Sequence, residues 1–453
     1  MLQERTQTKL TKDQIQAVAL LSIGSLLEHF DRMLYVHASV VLNDLFFPQT
    51  DPLVKEFIPA FAFCSSYFLT PLGALLFGYI GDIFGRKAII VTSSLLMAGC
   101  CIIVAFLPTY EQIGITATLI FTLCRMIQGT SGISEITGVE IYLTESIKPP
   151  AQYPIVAFVG VFQSLGSLAA LCIASFFINT KILPEPLAKD GWRIAFLIGT
   201  LIGVIGGMAR RSLKEASEFA DRQKFLKEKF KKAKIEWSAS NPSINPKIPL
   251  STSIAYFFIY CSRPLSFYFV FLHCSEILKN TFHMSAAQII TNNIWPAILY
   301  TIGSLIVAFL SYKIAPLKIV KVKITLFFLL VMLFPIVIKI WHSPSAVLFF
   351  QCLLVVFRFE YIPAAPIFLK YFPVLKRFRY ASLIRTLATT LTYLITSFSL
   401  VIITKHFGHT GILLVLLPIG ACFAWAVRYF EKQQESQKAQ FISRQKSTFA
   451  EHL

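Results

Sequence analysis

The sequence predicts an all-α polytopic membrane protein with twelve transmembrane helices in two six-helix bundles. Three observations carry that reading. The 453 residues are 55% hydrophobic and 15% charged, with a mean hydropathy of +0.64; a soluble chain carries about 25% charged residues. Apolar runs of bilayer-crossing length, about 20 residues, recur from end to end. Lys and Arg gather in alternate loops, the bias that orients membrane proteins.

The first apolar segment follows a polar stretch, Met1 to Gln14, and has no small-residue cleavage site, so it reads as a retained helix rather than a signal peptide. Helices are expected near 15–42, 57–80, 88–107, 113–143, 152–178 and 191–209. The second set is expected near 250–275, 286–311, 319–338, 345–369, 381–404 and 408–429. The loops test this map. Arg86 and Lys87 follow the second helix, eleven Lys and Arg from Arg210 to Lys247 follow the sixth, Lys313 and Lys318 follow the eighth, and Lys370, Lys376, Arg377 and Arg379 follow the tenth. The opposite loop 43–56 sets Asp44, Asp51 and Glu56 against Lys55. Both termini and the long central loop are therefore expected on the cytoplasmic side. Residues 1–209 form a first bundle, 210–248 a cytoplasmic connection broken at Asn241 to Pro246, 249–430 a second bundle, and 431–453 a short Gln-rich cytoplasmic tail. A six-plus-six arrangement places a solute near the midplane between the halves.

The net charge of +18 follows the loops, so it reads as topology and attraction to anionic lipid headgroups rather than nucleic-acid binding. All nine cysteines fall in apolar segments, with no C-x-x-C pair and no His at metal-ligand spacing. No metal site or disulfide framework is expected. No phosphate-binding loop, zinc motif or nucleophile elbow points to an enzyme. The expected partners are a small solute and the lipid bilayer, with a monomeric functional unit and no cofactor other than a proton as coupling ion.

Glu28, His29, Asp31 and Arg32 interrupt the first helix. A central Asp or Arg facing lipid costs about 2.5–3.5 kcal/mol, so two cost about 5–7 kcal/mol. They must face protein or water, and intramembrane charge marks ion or substrate pathways. At about 100° per residue, Glu28, Asp31, Arg32 and Tyr35 share a face within about 100° of arc, and His37 points the other way. Glu28 and Arg32 are four apart and can pair. Either this pair is a fixed internal salt bridge, or the face lines a polar cavity where Glu28 or Asp31 binds a proton. His29 reads as an interior hydrogen-bonded histidine.

On the fourth helix Arg125, Gln128, Gly132 and Glu135 share a face, and Glu140 lies roughly 140° from Glu135. A buried Arg125 needs an acid, with Glu28, Asp31 and Glu135 as candidates. Glu145 is expected to be solvated at the helix end. In the second half the intramembrane charges are Arg263, Arg358, Glu360 and Arg385; Arg358 and Glu360 stand two apart on a helix and should not face each other. Tyr256, Tyr260, Phe267 and Tyr268 read as core packing.

Gly78-Tyr-Ile-Gly-Asp82-Ile-Phe-Gly85-Arg86-Lys87 joins the second and third helices. Its glycines permit a tight turn, and Asp82 can pair with Arg86. This G-x-x-x-D-x-x-G-R-K pattern resembles the signature of the major facilitator superfamily, where the loop latches the cytoplasmic side. Gly24-x-x-x-Glu28-x-Phe30-Asp31-x-x-x-Tyr35, Phe46-Phe47-Pro48, Pro71-Leu72-Gly73, Arg125-x-x-Gln128-Gly129, Glu135 and Gly191-Trp192-Arg193 are similar to the metabolite:proton symporter family within it. The likeness is dense through about residues 20–215 and thins to patches such as Phe372-Pro373 and Arg379 to Leu383. It implies alternating access driven by a proton gradient in a prokaryotic cytoplasmic membrane. It also implies a proline/betaine-like osmolyte or an organic acid as solute. Against that pattern His29 stands for Trp, Ser25 for Asn, Thr70 for Arg, and Ile133 and Ser134 for two glycines. The second-half copy of the loop, Ser311 to Pro316, lacks its Asp and Gly. A proton-coupled uptake transporter, an exchanger or facilitator, and a non-transporting receptor remain as readings.

Overall fold

The computed structural model describes residues 7–48, 65–178, 185–232 and 248–450. In the first half, α1 is Lys12–Phe46, α2 Thr70–Ile83, α3 Arg86–Phe106, α4 Ile115–Ser146, α5 Gln152–Ile178 and α6 Glu185–Arg210. A further helix, Ser217–Lys232, follows α6. In the second half, α7 is Leu250–Phe267, continued through a π turn at Tyr268–His273 into Cys274–Asn280. Then come α8 Ala286–Lys313, α9 Pro316–Trp341, α10 Pro344–Val356, α11 Arg377–Phe407 and α12 Leu413–Ala450. The expected start of the second helix, 57–64, and residues 233–247 of the central loop lie outside the described residues.

Local sequence explains several ends. Thr11 opens α1 with a capping box: its hydroxyl accepts from the Gln14 N–H, and the Gln14 side chain accepts from the Thr11 N–H. Ser285 opens α8 in the same way. Gly85 turns the chain between α2 and α3 at φ +98, a conformation that costs glycine nothing. Among the described residues seven helices are long and apolar enough by composition to cross a membrane; α1 and α4 carry buried charges as well. The outer surface is apolar: Leu72, Phe106, Leu119, Phe309 and Ile340 are all exposed, which suits lipid rather than water.

Two expectations change. The tenth helix does not run unbroken over 345–369. It stops at Val356, and the chain passes through 357–364 before the short helix Ala365–Leu369. Pro363 keeps the helix from resuming ahead of it, since proline removes a helical donor and disfavours α backbone in the residue before it; Pro366 sits in the first turn of the short helix, where its missing donor costs nothing. α12 also continues as helix to Ala450 where a tail was expected from 431.

The halves meet along two seams, α5 against α8 and α2 against α11. Within the first half α1 packs on α5, and α3 packs on α4 and α6; in the second, α7 packs on α11 and α12. Close approach depends on missing side chains: a Cβ on Gly166 of α5 would fall on the Leu26 carbonyl of α1. Gly166→Leu should therefore lower stability by about 1–3 kcal/mol through overpacking. Gly99→Ala, inside α3 where a Cβ would meet nothing within 4 Å, should keep stability or raise it by up to about 1 kcal/mol; thermal unfolding in detergent compares the two.

Candidate functional site

A cavity of about 100 Å³ lies between the halves. His29 and Arg32 reach it from α1, Arg263 from α7, Tyr300 from α8, Arg358 from the unwound stretch and Arg385 from α11. Tyr260 and Phe267 also line it, while Tyr256 and Tyr268 are buried in the core. The aromatic stripe of α7 therefore serves both packing and cavity wall.

The α1 charges are buried on one side of this cavity. Glu28 accepts from Arg32, the residue four along. His29 Nδ1 lies 2.6 Å from the other Glu28 oxygen. His29 Nε2 lies 3.1 Å from the Arg263 guanidinium. An arginine only donates, so His29 Nε2 accepts, and the ring carries its proton on Nδ1, toward Glu28. Gly132 of α4 makes room: a Cβ there would stand 2.5 Å from Glu28 Oε1 and 2.6 Å from Arg32 Nη2.

Asp31 has different partners. One oxygen accepts from the Cys101 thiol at 2.7 Å and the Gln128 amide at 3.3 Å. The other, Oδ2, is buried with no hydrogen-bond partner among the described residues. Arg125 donates to Gln128 Oε1 at 2.8 Å, and its guanidinium lies 3.9 Å from the centre of the Tyr35 ring. So its bonded partners are an amide and an aromatic face; of the three acids expected, Asp31 is the one whose charge it faces, across the same small cleft and with no direct bond. Glu135 is taken by Arg210, with Ser94 donating to it at 3.0 Å. Arg210, read from sequence as a loop cation, is buried at the end of α6. It fits because Gly24 leaves the space its guanidinium fills.

Glu140 reaches across to the second half. It accepts from Arg385 at 2.9 Å, Tyr260 at 3.1 Å and Tyr361 at 3.0 Å. Arg358 and Glu360 do face each other, 2.9 Å apart. The helix that would have separated them is unwound at these residues. Lys323 of α9 shares the same carboxylate at 3.2 Å, and Tyr300 donates to it at 3.3 Å. Sequence reasoning missed Lys323 as a site residue; its signal was a lysine inside a predicted span.

The loop motif lies on the face that carries the basic loops. Arg86 donates to Glu145 at 2.9 and 3.0 Å and to the Val374 carbonyl of the second half at 2.6 Å. Arg377 donates to Glu145 at 2.9 Å and to Glu218 at 3.2 Å. Glu145 is thus buried between two guanidiniums instead of solvated. Asp82 accepts from the Arg379 N–H at 3.3 Å and lies 3.4 Å from Arg86. Gly78 brings α2 against Arg379, where a Cβ would stand 2.9 Å from its Cα. Gly85 leaves room for Glu215, which accepts from the N–H groups of Arg86 at 2.8 Å and Lys87 at 3.4 Å. The second-half partners of the motif come from the turn before α11 and the first turn of α11 itself, not from the degenerate copy at Ser311 to Pro316. Among the described residues no group of three or more His, Cys, Asp or Glu could hold a metal ion.

The Major Facilitator Superfamily description matches residues 59–272. The proline/betaine transporter of Salmonella typhimurium is 32% identical over 207 residues, covering 45% of this chain and 41% of that protein. The proline/betaine transporter of Escherichia coli is 31% identical over 207 residues, with the same coverage. The chain spans less than half the length of these curated relatives. Solved structures extend the likeness of fold to most of the chain. The proton:xylose symporter XylE has a TM-score of 0.74 at 14% identity, covering 92% of this chain and 95% of that one. FucP in its outward conformation has a TM-score of 0.64 at 14% identity, covering 92% and 99%.

Glu360→Ala would strand both Arg358 and Lys323. Loss of one member of a buried ion pair costs about 3–5 kcal/mol. The variant should melt well below wild type in detergent, and an unchanged melting temperature would contradict the geometry.

Proposed function

We propose, for a chain with the major facilitator fold and that superfamily's sequence over residues 59–272, secondary active transport of a small polar solute coupled to a proton. The orphaned oxygen of Asp31 carries this reading. A carboxylate oxygen buried without a partner is costly, and a bound proton removes the charge that makes it so. Intramembrane acids of this kind form proton relays in transporters. A small cleft bordered by Asp31, Arg125, Gln128 and Tyr35, about one water in size, would hold a water beside that carboxyl. Glu28 is the weaker choice: one of its oxygens bonds to Arg32, and the other, buried without a hydrogen bond as Asp31 Oδ2 is, still has His29 Nδ1 at 2.6 Å.

The solute binds in the cavity between the halves. On the basic face the halves touch through Arg86, Asp82 and Glu145 on one side and Val374, Arg377 and Arg379 on the other. Alternating access then consists of parting these contacts while the far side closes. The protein sits in a bacterial inner membrane with both termini cytoplasmic, following the loop charges. One observation favours a second reading, exchange or facilitated diffusion without protons: the Glu28–Arg32 pair neutralises itself.

Liposomes containing the purified protein and a pH-sensitive dye separate the two readings. With a transported solute, the wild type should acidify the lumen as solute enters, and Asp31→Asn should lose that proton signal while still inserting. Uptake unaffected by a proton ionophore would establish the second reading instead.

A further inference from the structure

We infer that His29 is a proton-operated catch between the two halves: with Nε2 bare it holds Arg263 of the second half, and a proton on Nε2 releases that arginine. What the catch does in transport rests on the alternating access proposed above; the catch itself rests on geometry. His29 Nε2 and Gln163 Oε1 each accept from the Arg263 guanidinium at 3.1 Å. Both acceptors belong to the first half, on α1 and α5, whereas Arg263 belongs to α7. Of the two acceptors only the histidine titrates. An imidazole protonated on both nitrogens has donors alone, and so has a guanidinium. The bond from Arg263 therefore does not survive a second proton on the ring, and like charges stand where a hydrogen bond stood. At this position the related pattern has Trp, whose indole only donates, so the catch belongs to this chain.

The surroundings decide which group gives way. The charges acting on His29 are Glu28 and Arg32 of its own helix and Arg263 of α7. Glu28 already holds Arg32 and has His29 Nδ1 at 2.6 Å, so with the ring protonated one carboxylate would serve three cations. The other cations of the cavity are held elsewhere, Arg385 by Glu140 and Arg358 by Glu360. Its remaining titratable groups, Tyr67, Tyr260, Tyr300, Tyr361 and Tyr393, are phenols that carry no charge near neutral pH. Among the described residues Arg263 has no ion-pair partner, and it borders open space in the cavity, so it is the cation that moves. The backbone permits this. Pro264 follows it inside α7, and the π turn at Tyr268–His273 lies one turn beyond; both interrupt the helical hydrogen-bond ladder. The catch stands about 25 Å along α1 and about 20 Å along α7 from their ends on the basic face. It is therefore separate from the contacts of Arg86, Glu145 and Arg377, and its release parts α1 from α7 toward the far side.

The separation of the halves on the far side reads the catch without requiring transport. Spin labels are placed at Glu111→Cys and Asn280→Cys, both exposed, in the full chain with its native cysteines replaced. Distances are measured in lipid nanodiscs at about pH 8 and about pH 5.5, on either side of the ordinary histidine range. One short population is expected at the higher pH, and a second, longer population should appear at the lower. His29→Gln, whose carbonyl accepts from Arg263 at either pH, should keep the short population throughout. His29→Leu, which has no acceptor, should show the longer population at both. If the His29 variants do not fold, Arg263→Gln, which removes the like charge, should also lose the response to pH. A wild-type distribution that ignores pH, or a response that survives in His29→Gln or Arg263→Gln, would overturn the inference. Distances that ignore pH beside a solute-driven proton signal in liposomes would sink the catch and leave the transport reading standing. A pH response of the distances with no such proton signal would do the reverse.

Discussion

A charge buried in a bilayer interior has to be compensated within the protein, because no water is there to do it. Much of this molecule follows from that requirement. Glu28 is compensated within its own helix by Arg32, and Glu135 by Arg210 from the end of α6. Glu140 and Glu145 are compensated from the other half, by Arg385 and Arg377. The same need for neutrality that stabilises each half therefore also ties the halves together, through two carboxylates of α4. Breaking such a pair without replacing it is expensive. The attachment is accordingly strong yet discrete, which suits an element with two arrangements.

Room for these charges comes from residues with little or no side chain and from irregular backbone. Gly24 accommodates the Arg210 guanidinium, and Gly132 the Glu28–Arg32 pair. The break after Val356 leaves Arg358, Glu360 and Tyr361 on unwound chain, with Arg358 and Tyr361 lining the cavity. Non-helical backbone at membrane depth is tolerated only where protein or a cavity surrounds it, and each of these three residues is buried.

The helical framework was legible because apolar length and loop charge are local quantities. The shared face of Glu28, Asp31, Arg32 and Tyr35 was legible for the same reason, since helical periodicity depends on spacing alone. The partners were not. Arg125 was expected to meet an acid, but its bonds go to Gln128 three residues along and to the Tyr35 ring. Glu145 looked solvated because its burial depends on Arg377, more than two hundred residues away. Arg358 and Glu360 were separated by assuming an unbroken helix, although Pro363 and Pro366 were visible warnings. Lys323 was hidden by the apolar run around it. For Glu145 and Lys323 the missing information was a tertiary contact, and for Arg358 and Glu360 it was a local break in the helix.

The central claim is that the carboxylates Glu140, beside the cavity, and Glu145, on the basic face, are bonded to second-half arginines and hold the two halves together on that side of the cavity. Spin labels at Ser212→Cys and Lys318→Cys, both exposed, report the separation of the halves there once the native cysteines are replaced. In the otherwise wild-type protein the distance distribution should be short and narrow. Adding Glu140→Gln and Glu145→Gln together should bring in a second, longer population. An identical distribution in both proteins would contradict the account.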